Sequence, residues 1–310
     1  MDNHGHSDAH NLTFREYQET ATKTDQVPDV GDNDFKALMV PLLGLAGEAG
    51  SLLSEFKKWL RQGEIYRPFA DQVSEEIGDI LWYVSNIASK MHLDLEEVAR
   101  ENLAKLEDRW GEAKDAKTPL FSSHYDDQYP NEEQLPKAFR AEFRMVVVDG
   151  RQKLAVTLDG EPCGDHLTDN AYASDGYRFH DCFHLALASL LRWSPILRKL
   201  LKCKRKSNPQ VDEVEDGARA SITEEAVSVV VYEYAKNYSM FDGAESIEYE
   251  LLRTIMMMTR PYEVRDRTAK EWESAILLAY TAWRSLIQNN GGCIVADATT
   301  QTFRYEPLAG

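Results

Sequence analysis

The chain has 310 residues, with 52 Asp and Glu against 35 Lys and Arg, and its formal net charge of −17 leaves no basic footprint for a nucleic-acid duplex, though a nucleotide whose charge a metal neutralises remains compatible. This length allows two domains of ordinary size, each able to bury a core. Four cysteines, Cys163, Cys182, Cys203 and Cys293, show no paired spacing, which argues against disulfides and against a Cys-type zinc site. The N-terminus is polar and no apolar run approaches membrane-spanning length, so a soluble cytoplasmic protein without a membrane partner is expected.

In chain order, residues 1–11 carry His4, His6 and His10 among Asp and Asn and read as an unstructured lead-in. Thr13 and Glu16 fit a capping box that opens a helix from Phe14 to about Thr22. A loop containing Pro28 and Gly31 follows, placed where it could close over a substrate. Beyond it, Leu42, Leu45, Ala49, Leu52, Phe56 and Trp59 recur in steps of three and four, the pattern of a helix with one buried face. Glu48, Ser51 and Glu55 fall on a strip about 90° around from that face. After a turn from Gly63 to Asp71, whose Arg67 and its neighbour Arg61 read as exposed rather than phosphate-binding, Val73, Ile77, Ile80, Val84, Ile87 and Met91 mark a second amphipathic helix. On it Glu76, Asp79 and Tyr83 share a flanking edge. A third helix opens with a capping box of Asp94 and Glu97 and places Asn102, Lys105 and Arg109 along one edge.

Acid on two helices and base on a third is the arrangement a magnesium and phosphate site needs. Magnesium prefers oxygen ligands and is usually shared between carboxylates and substrate phosphates, and helices of a bundle can supply such carboxylates from facing positions. A neighbouring carboxylate can take a proton from water, while Lys and Arg hold phosphate oxygens. Acidic edges flanking a helix stripe are more often a plain solvated face; two of them together with the third motif favour the catalytic reading.

Three segments carry a family resemblance: GLAGEAGSLLSEFKK (Gly44–Lys58), EEIGDILWYV (Glu75–Val84) and NLAKLEDRW (Asn102–Trp110). They are similar to the MazG-like branch of the all-α nucleoside triphosphate pyrophosphohydrolases, known by E-x-x-E, E-x-x-D and N-x-x-K-x-x-x-R in that order. The resemblance spans residues 12–113. It implies a helical bundle that cleaves a (d)NTP or related nucleotide between the α and β phosphates with Mg2+, or Mn2+ in its place, and that assembles as a homodimer or larger oligomer. Glu48, Glu76 and Asp79 match the catalytic metal-ligand positions, and Asn102, Lys105 and Arg109 the substrate-binding motif. Ser51 stands where the family usually has a second glutamate; either Glu55, one turn further on, substitutes for it as a ligand, or the site holds fewer ions.

Residues 114–140 turn to Pro, Ser, Asp, Tyr and Glu without helical period and read as a linker to an α-rich domain with small β-hairpins over residues 141–310. Hairpins are expected from Phe143–Val148 with Lys153–Leu158, and from Cys293–Ala296 with Thr302–Tyr305. Helices are expected over Tyr177–Trp193, Ile222–Tyr238, Ala244–Met258 and Ala269–Gln288. His180, Asp181 and His184, together with Glu225, form a possible second site for a metal or nucleotide, set against histidines simply hydrogen-bonded into the core. A basic run from Arg198 to Lys206 is either a solvated loop or a phosphate or partner contact. The stretch EEAVSVVVYEY from Glu224 echoes EEIGDILWYV and reads either as a worn second copy of the hydrolase unit or as an ordinary helix start. The region also resembles, more weakly, the extra domain found after some MazG-like units. The sequence therefore points to a mainly α, metal-dependent nucleotide pyrophosphohydrolase, and its alternative is a nucleotide-sensing binding protein with a weakened hydrolase site that signals through its C-terminal domain.

Overall fold

The computed structural model describes residues 11–26, 35–110 and 125–308, with the side chains of Phe35, Lys36 and residues 108–110 outside that description. His4, His6, His10, Pro28 and Gly31 lie outside it as well. The chain divides into two compact units, residues 1–106 and 107–310.

Four helices build the first unit: α1 (Phe14–Thr22), α2 (Phe35–Gln62), α3 (Phe69–Lys90) and α4 (Leu95–Trp110). The capping box at Thr13 and Glu16 is present, each side chain taking the other's backbone N–H. At α4, Asp94 Oδ1 accepts from the Glu96 amide at 2.9 Å, but the Glu97 side chain turns outward to Arg100 instead of closing a box. α2 starts two turns before the expected position, carrying Pro41 inside it. It packs antiparallel to α3, with Gly44 against the Tyr83 ring at one end and Phe56 and Trp59 against Phe69 at the other, at centroid distances of 5.1 and 5.5 Å. α1 lies on α3 and ties the α3–α4 corner: Gln18 donates to Ser89 and Leu93 O, and accepts from the Leu95 amide.

The expected buried stripe of α2 is in fact largely exposed within the unit, with Phe56, Trp59 and Leu42 open, and Leu43, Leu53 and Leu60 more so. Ala37–Ile65 is long and apolar enough by composition to cross a membrane, with mean hydropathy 1.5 and 11% of its most apolar window buried. The expectation that no apolar run approaches that length is corrected: Glu48 stands alone among uncharged residues from Ala37 to Ser54, and its presence masked the run.

In the second unit the two expected hairpins form and then join. β1 (Ala138–Val148) and β2 (Arg151–Leu158) pair antiparallel, as do β4 (Gly292–Asp297) and β5 (Thr302–Glu306), and β1 pairs antiparallel with β4. With the short β3 (Glu161–Pro162) the result is one antiparallel sheet in the order β3-β2-β1-β4-β5. β1 begins five residues before the expected strand, and those extra residues, Ala138 to Glu142, make the β4 pairing. Helices α5 (Asp181–Ala186), α6 (Pro195–Leu200), α7 (Pro209–Val214), α8 (Ala218–Lys236), α9 (Tyr249–Thr259) and α10 (Ala269–Gln288) complete the unit. α10 runs over the expected residues and buries Trp272, Tyr280 and Trp283. The single helix expected over Tyr177–Trp193 is broken: α5 passes into a π turn at Leu187–Leu191, which ends where Arg192 takes a left-handed conformation. That turn aims the Arg192 guanidinium at the carbonyls of Leu135 and Pro136.

Two readings of this half are corrected by buried ion pairs. Residues read as linker pack into the unit from Tyr125 onward: Asp126, wholly buried, accepts from Arg198 at 2.6 Å and from the Leu135 amide at 2.7 Å. The basic run is likewise neither a solvated loop nor a free phosphate site at its two arginines, since Arg198 and Arg205 are buried and Arg205 binds Asp216 and Glu263. Burial opposes the charge on Asp126, but Arg198, the Leu135 amide and Arg192 outweigh it and hold the carboxyl below its ordinary value. Nor does the echo of the hydrolase motif extend to architecture, because α8 belongs to a unit with a five-stranded sheet and its Glu224 is buried.

Glu215 behaves oppositely to Asp126. Burial pushes it up to about 7, the Glu263 amide and Arg205 opposing and the charges of Glu263 and Asp216 adding. A carboxyl raised on folding binds more protons in the native state, so stability falls as pH rises from about 4.5 through 7. Discounted for its partial exposure, this amounts to about 1–2 kcal/mol. Glu215→Gln is expected to flatten that decline in urea melts at pH 5 and pH 7.5; an unchanged pH slope would contradict the assignment.

Candidate metal centre

Glu48 on α2 and Glu76 and Asp79 on α3 each offer a carboxylate oxygen, and these oxygens lie within 4.8 Å of one another. The antiparallel register explains it. Gly44 meets Tyr83, so one turn on, Glu48 comes level with Asp79 and Glu76. A methyl group at residue 44 would stand 2.2 Å from the Tyr83 ring, so the ring fills the space that the lack of a side chain at Gly44 leaves. Glu76 and Glu48 are half-buried and Asp79 exposed. Partial desolvation, then the charge and hydrogen bond of Glu48, then the charges of Asp79 and Glu55, hold the Glu76 carboxyl above its ordinary value. The all-oxygen donor set of these three carboxylates fits a hard divalent cation such as Mg2+.

Glu55 is not part of this group. It is 4% exposed, and its oxygens accept from Lys58 Nζ at 2.5 Å and from the Tyr66 hydroxyl. The Lys58 and Tyr66 hydrogen bonds hold its carboxyl below the ordinary value, so it is satisfied inside the protein rather than offered to a metal. On α4, Asn102 and Lys105 lie one turn apart and are exposed. The Arg109 side chain lies outside the described residues. Arg61 and Arg67 are exposed, as expected.

The second cluster also comes together. His180, Asp181 and His184 offer ligand atoms within 4.8 Å of one another. His184 is buried, and its Nδ1 stands 2.8 Å from Glu224 Oε1. Its Nε2 is 3.6 Å from Glu225, beyond hydrogen-bond length, and has no hydrogen-bond partner. Burial opposes charge on His184, but Glu224 and Glu225 outweigh it and raise the imidazole to about 10. His180 is held below its ordinary value by burial, Asp181 opposing and the His184 charge adding. Sequence reasoning missed Glu224, which was legible only as an echo of another motif, and Gly44, whose signal was a glycine at the helix contact.

The MazG nucleotide pyrophosphohydrolase domain matches residues 42–112, and the MazG C-terminal domain matches residues 121–309. The Gene 37 protein of Mycobacterium phage L5 is 38% identical over 96 residues, covering 30% of this chain and 84% of that protein. No solved structure matches. The first match contains Glu48, Glu76 and Asp79, and the second contains the five-stranded sheet and covers more than half of the chain. The chain belongs to the MazG family, with a MazG nucleotide pyrophosphohydrolase domain followed by a MazG C-terminal domain.

Proposed function

We propose that residues 12–113 form a Mg2+-dependent pyrophosphohydrolase that converts a (d)NTP or related nucleotide to its monophosphate and pyrophosphate, with residues 141–310 as an appended domain. The observation that carries this reading is the convergence of Glu48, Glu76 and Asp79 from two helices. These three would hold Mg2+, or Mn2+ in its place. The ion, when bound, supplies Lewis acidity toward phosphate oxygens and water. One of the three carboxylates accepts the proton of the attacking water as its oxygen bonds to the α phosphorus and pyrophosphate departs. Lys105 and Arg109 bind the phosphate oxygens and stabilise the charge that develops there, and Asn102 orients the same group.

A second reading has one observation in its favour. Ser51 cannot supply a carboxylate and Glu55 is taken up by Lys58 and Tyr66, so the site has three acidic ligands where the family resemblance implies four. A site so reduced could bind a nucleotide without hydrolysing it and signal through the C-terminal domain. Pyrophosphate release from a nucleotide panel with Mg2+ separates the two readings. In that assay Glu76→Gln and Asp79→Asn are expected to lose at least about 100-fold of activity, while Glu55→Gln retains most of it. Full activity in either of the first two variants would remove the metal-site assignment.

The exposed apolar face of α2 is best covered by a second copy of this chain, as the family resemblance implies. Light scattering is expected to show a dimer or larger oligomer in the absence of detergent. A monomer that instead co-sediments with phospholipid vesicles would assign the face to a membrane and contradict this reading.

A further inference from the structure

The second cluster differs in chemistry from the first, because it contains two imidazoles. His180 and His184 lie four residues apart at the start of α5 and so project from the same side of the turn, and Asp181 is one residue from His180. The two rings meet edge to face at 5.5 Å, with Tyr177 stacked on His180 at 4.7 Å.

The hydrogen bonds fix which nitrogen each ring offers. His180 Nδ1 is 3.0 Å from the Tyr177 carbonyl, an acceptor only, so that nitrogen carries the proton. His184 Nδ1 donates to Glu224, whose carboxylate is itself held by the Ser194 hydroxyl at 2.6 Å and the Ile196 amide at 2.9 Å. Both rings therefore present Nε2 to carboxylates: His180 to Asp181 at 3.3 Å, and His184 to Glu225 at 3.6 Å. Each Nε2 thus faces a carboxylate across a gap that a proton or a metal ion can bridge. His184 Nε2 is wholly buried and lacks a hydrogen-bond partner, an arrangement that is costly unless something occupies it. A histidine oriented by a buried carboxylate through one nitrogen, with the other free, is the usual support beneath a metal ligand.

We propose that His180, Asp181 and His184, with Glu225 on the solvent side, form a divalent transition-metal site in the C-terminal domain, and that Zn2+ is the ion its donors best match. Two imidazoles and a carboxylate suit Zn2+, whereas the all-carboxylate centre of the first unit suits Mg2+. The Glu225 side chain is 48% exposed, so the site opens to water on that side. Glu224 is a positioning residue: it fixes the orientation and tautomer of His184.

The test uses the full chain carrying Glu48→Gln and Glu76→Gln, stripped of metal, so that the first centre does not contribute. Calorimetric titration with ZnCl2 is expected to show one Zn2+ per chain, weakened at least about 100-fold by His180→Ala and by Asp181→Asn. MgCl2 should give no comparable heat. Circular dichroism and thermal melting establish that the variants are folded; if His180→Ala is not, the near-isosteric Asp181→Asn carries the test. Co2+ in place of Zn2+ should give a visible absorption band that changes in Asp181→Asn. No Zn2+ binding to the parent chain would overturn the proposal. So would binding that both folded variants retain, which would place the ion elsewhere, for example on His4, His6 and His10.

Discussion

The close approach of three carboxylates is the constraint on which the first unit depends. Glu48, Glu76 and Asp79 repel one another, and the strain is registered in the raised Glu76 carboxyl. The helices are kept at this distance by packing at both ends of the contact, Gly44 against Tyr83 and Phe69 against Phe56 and Trp59. Lys58 lies near enough to feel the Glu76 charge but is hydrogen-bonded to Glu55. Glu55 thus acts as a partner that keeps a cationic side chain occupied at the edge of the centre. An all-carboxylate group of this kind is suited to a hard divalent cation. The same unit leaves the apolar face of α2 exposed, so both its polar and its apolar features call for something beyond the isolated chain.

The second unit follows the opposite rule. Its buried charges are matched inside the fold: Asp126 with Arg198 and Arg192, Asp216 with Arg205, and Glu271 with Arg267. Such pairs offset their own desolvation only when further hydrogen bonds complete them, as the Leu135 amide does for Asp126. Removing one partner would leave an uncompensated buried charge. The Nε2 of His184 differs from these pairs in being a buried imidazole nitrogen set beside carboxylates without a hydrogen-bond partner. Its contrast with the first centre is chemical as well, with imidazole nitrogen in one place and carboxylate oxygen alone in the other.

Much of the architecture was legible wherever local signals decide structure. α1, α4 and α10 follow from capping residues and a strict helical period, and both hairpins from alternation around a turn. The centre at Glu48, Glu76 and Asp79 was readable because helical phase alone puts those residues on facing edges. What sequence could not supply depended on partners distant in the chain. The pairing of β1 with β4 joins residues about 150 positions apart, and the Asp126–Arg198 and Arg205–Glu263 pairs look in sequence like linker and solvated loop. The π turn at Leu187–Leu191 likewise follows from where Arg192 finds its carbonyl acceptors, not from any local propensity. Whether Glu55 joins the centre was left open by the sequence, because period fixes a direction and not what else reaches it first; its oxygens accept from Lys58 and Tyr66. The short α6 and α7 were missed even though Ser194–Pro195 and Asn208–Pro209 are ordinary helix openings.

The chemistry proposed for the Glu48, Glu76 and Asp79 centre is attack of water on the α phosphorus. Hydrolysis of a nucleoside triphosphate by the full chain with Mg2+ in 18O-labelled water, followed by mass spectrometry and 31P NMR of the products, tests it most directly. The account predicts pyrophosphate as the leaving product and the label in the nucleoside monophosphate. Label in pyrophosphate, or release of orthophosphate with a nucleoside diphosphate, would contradict it.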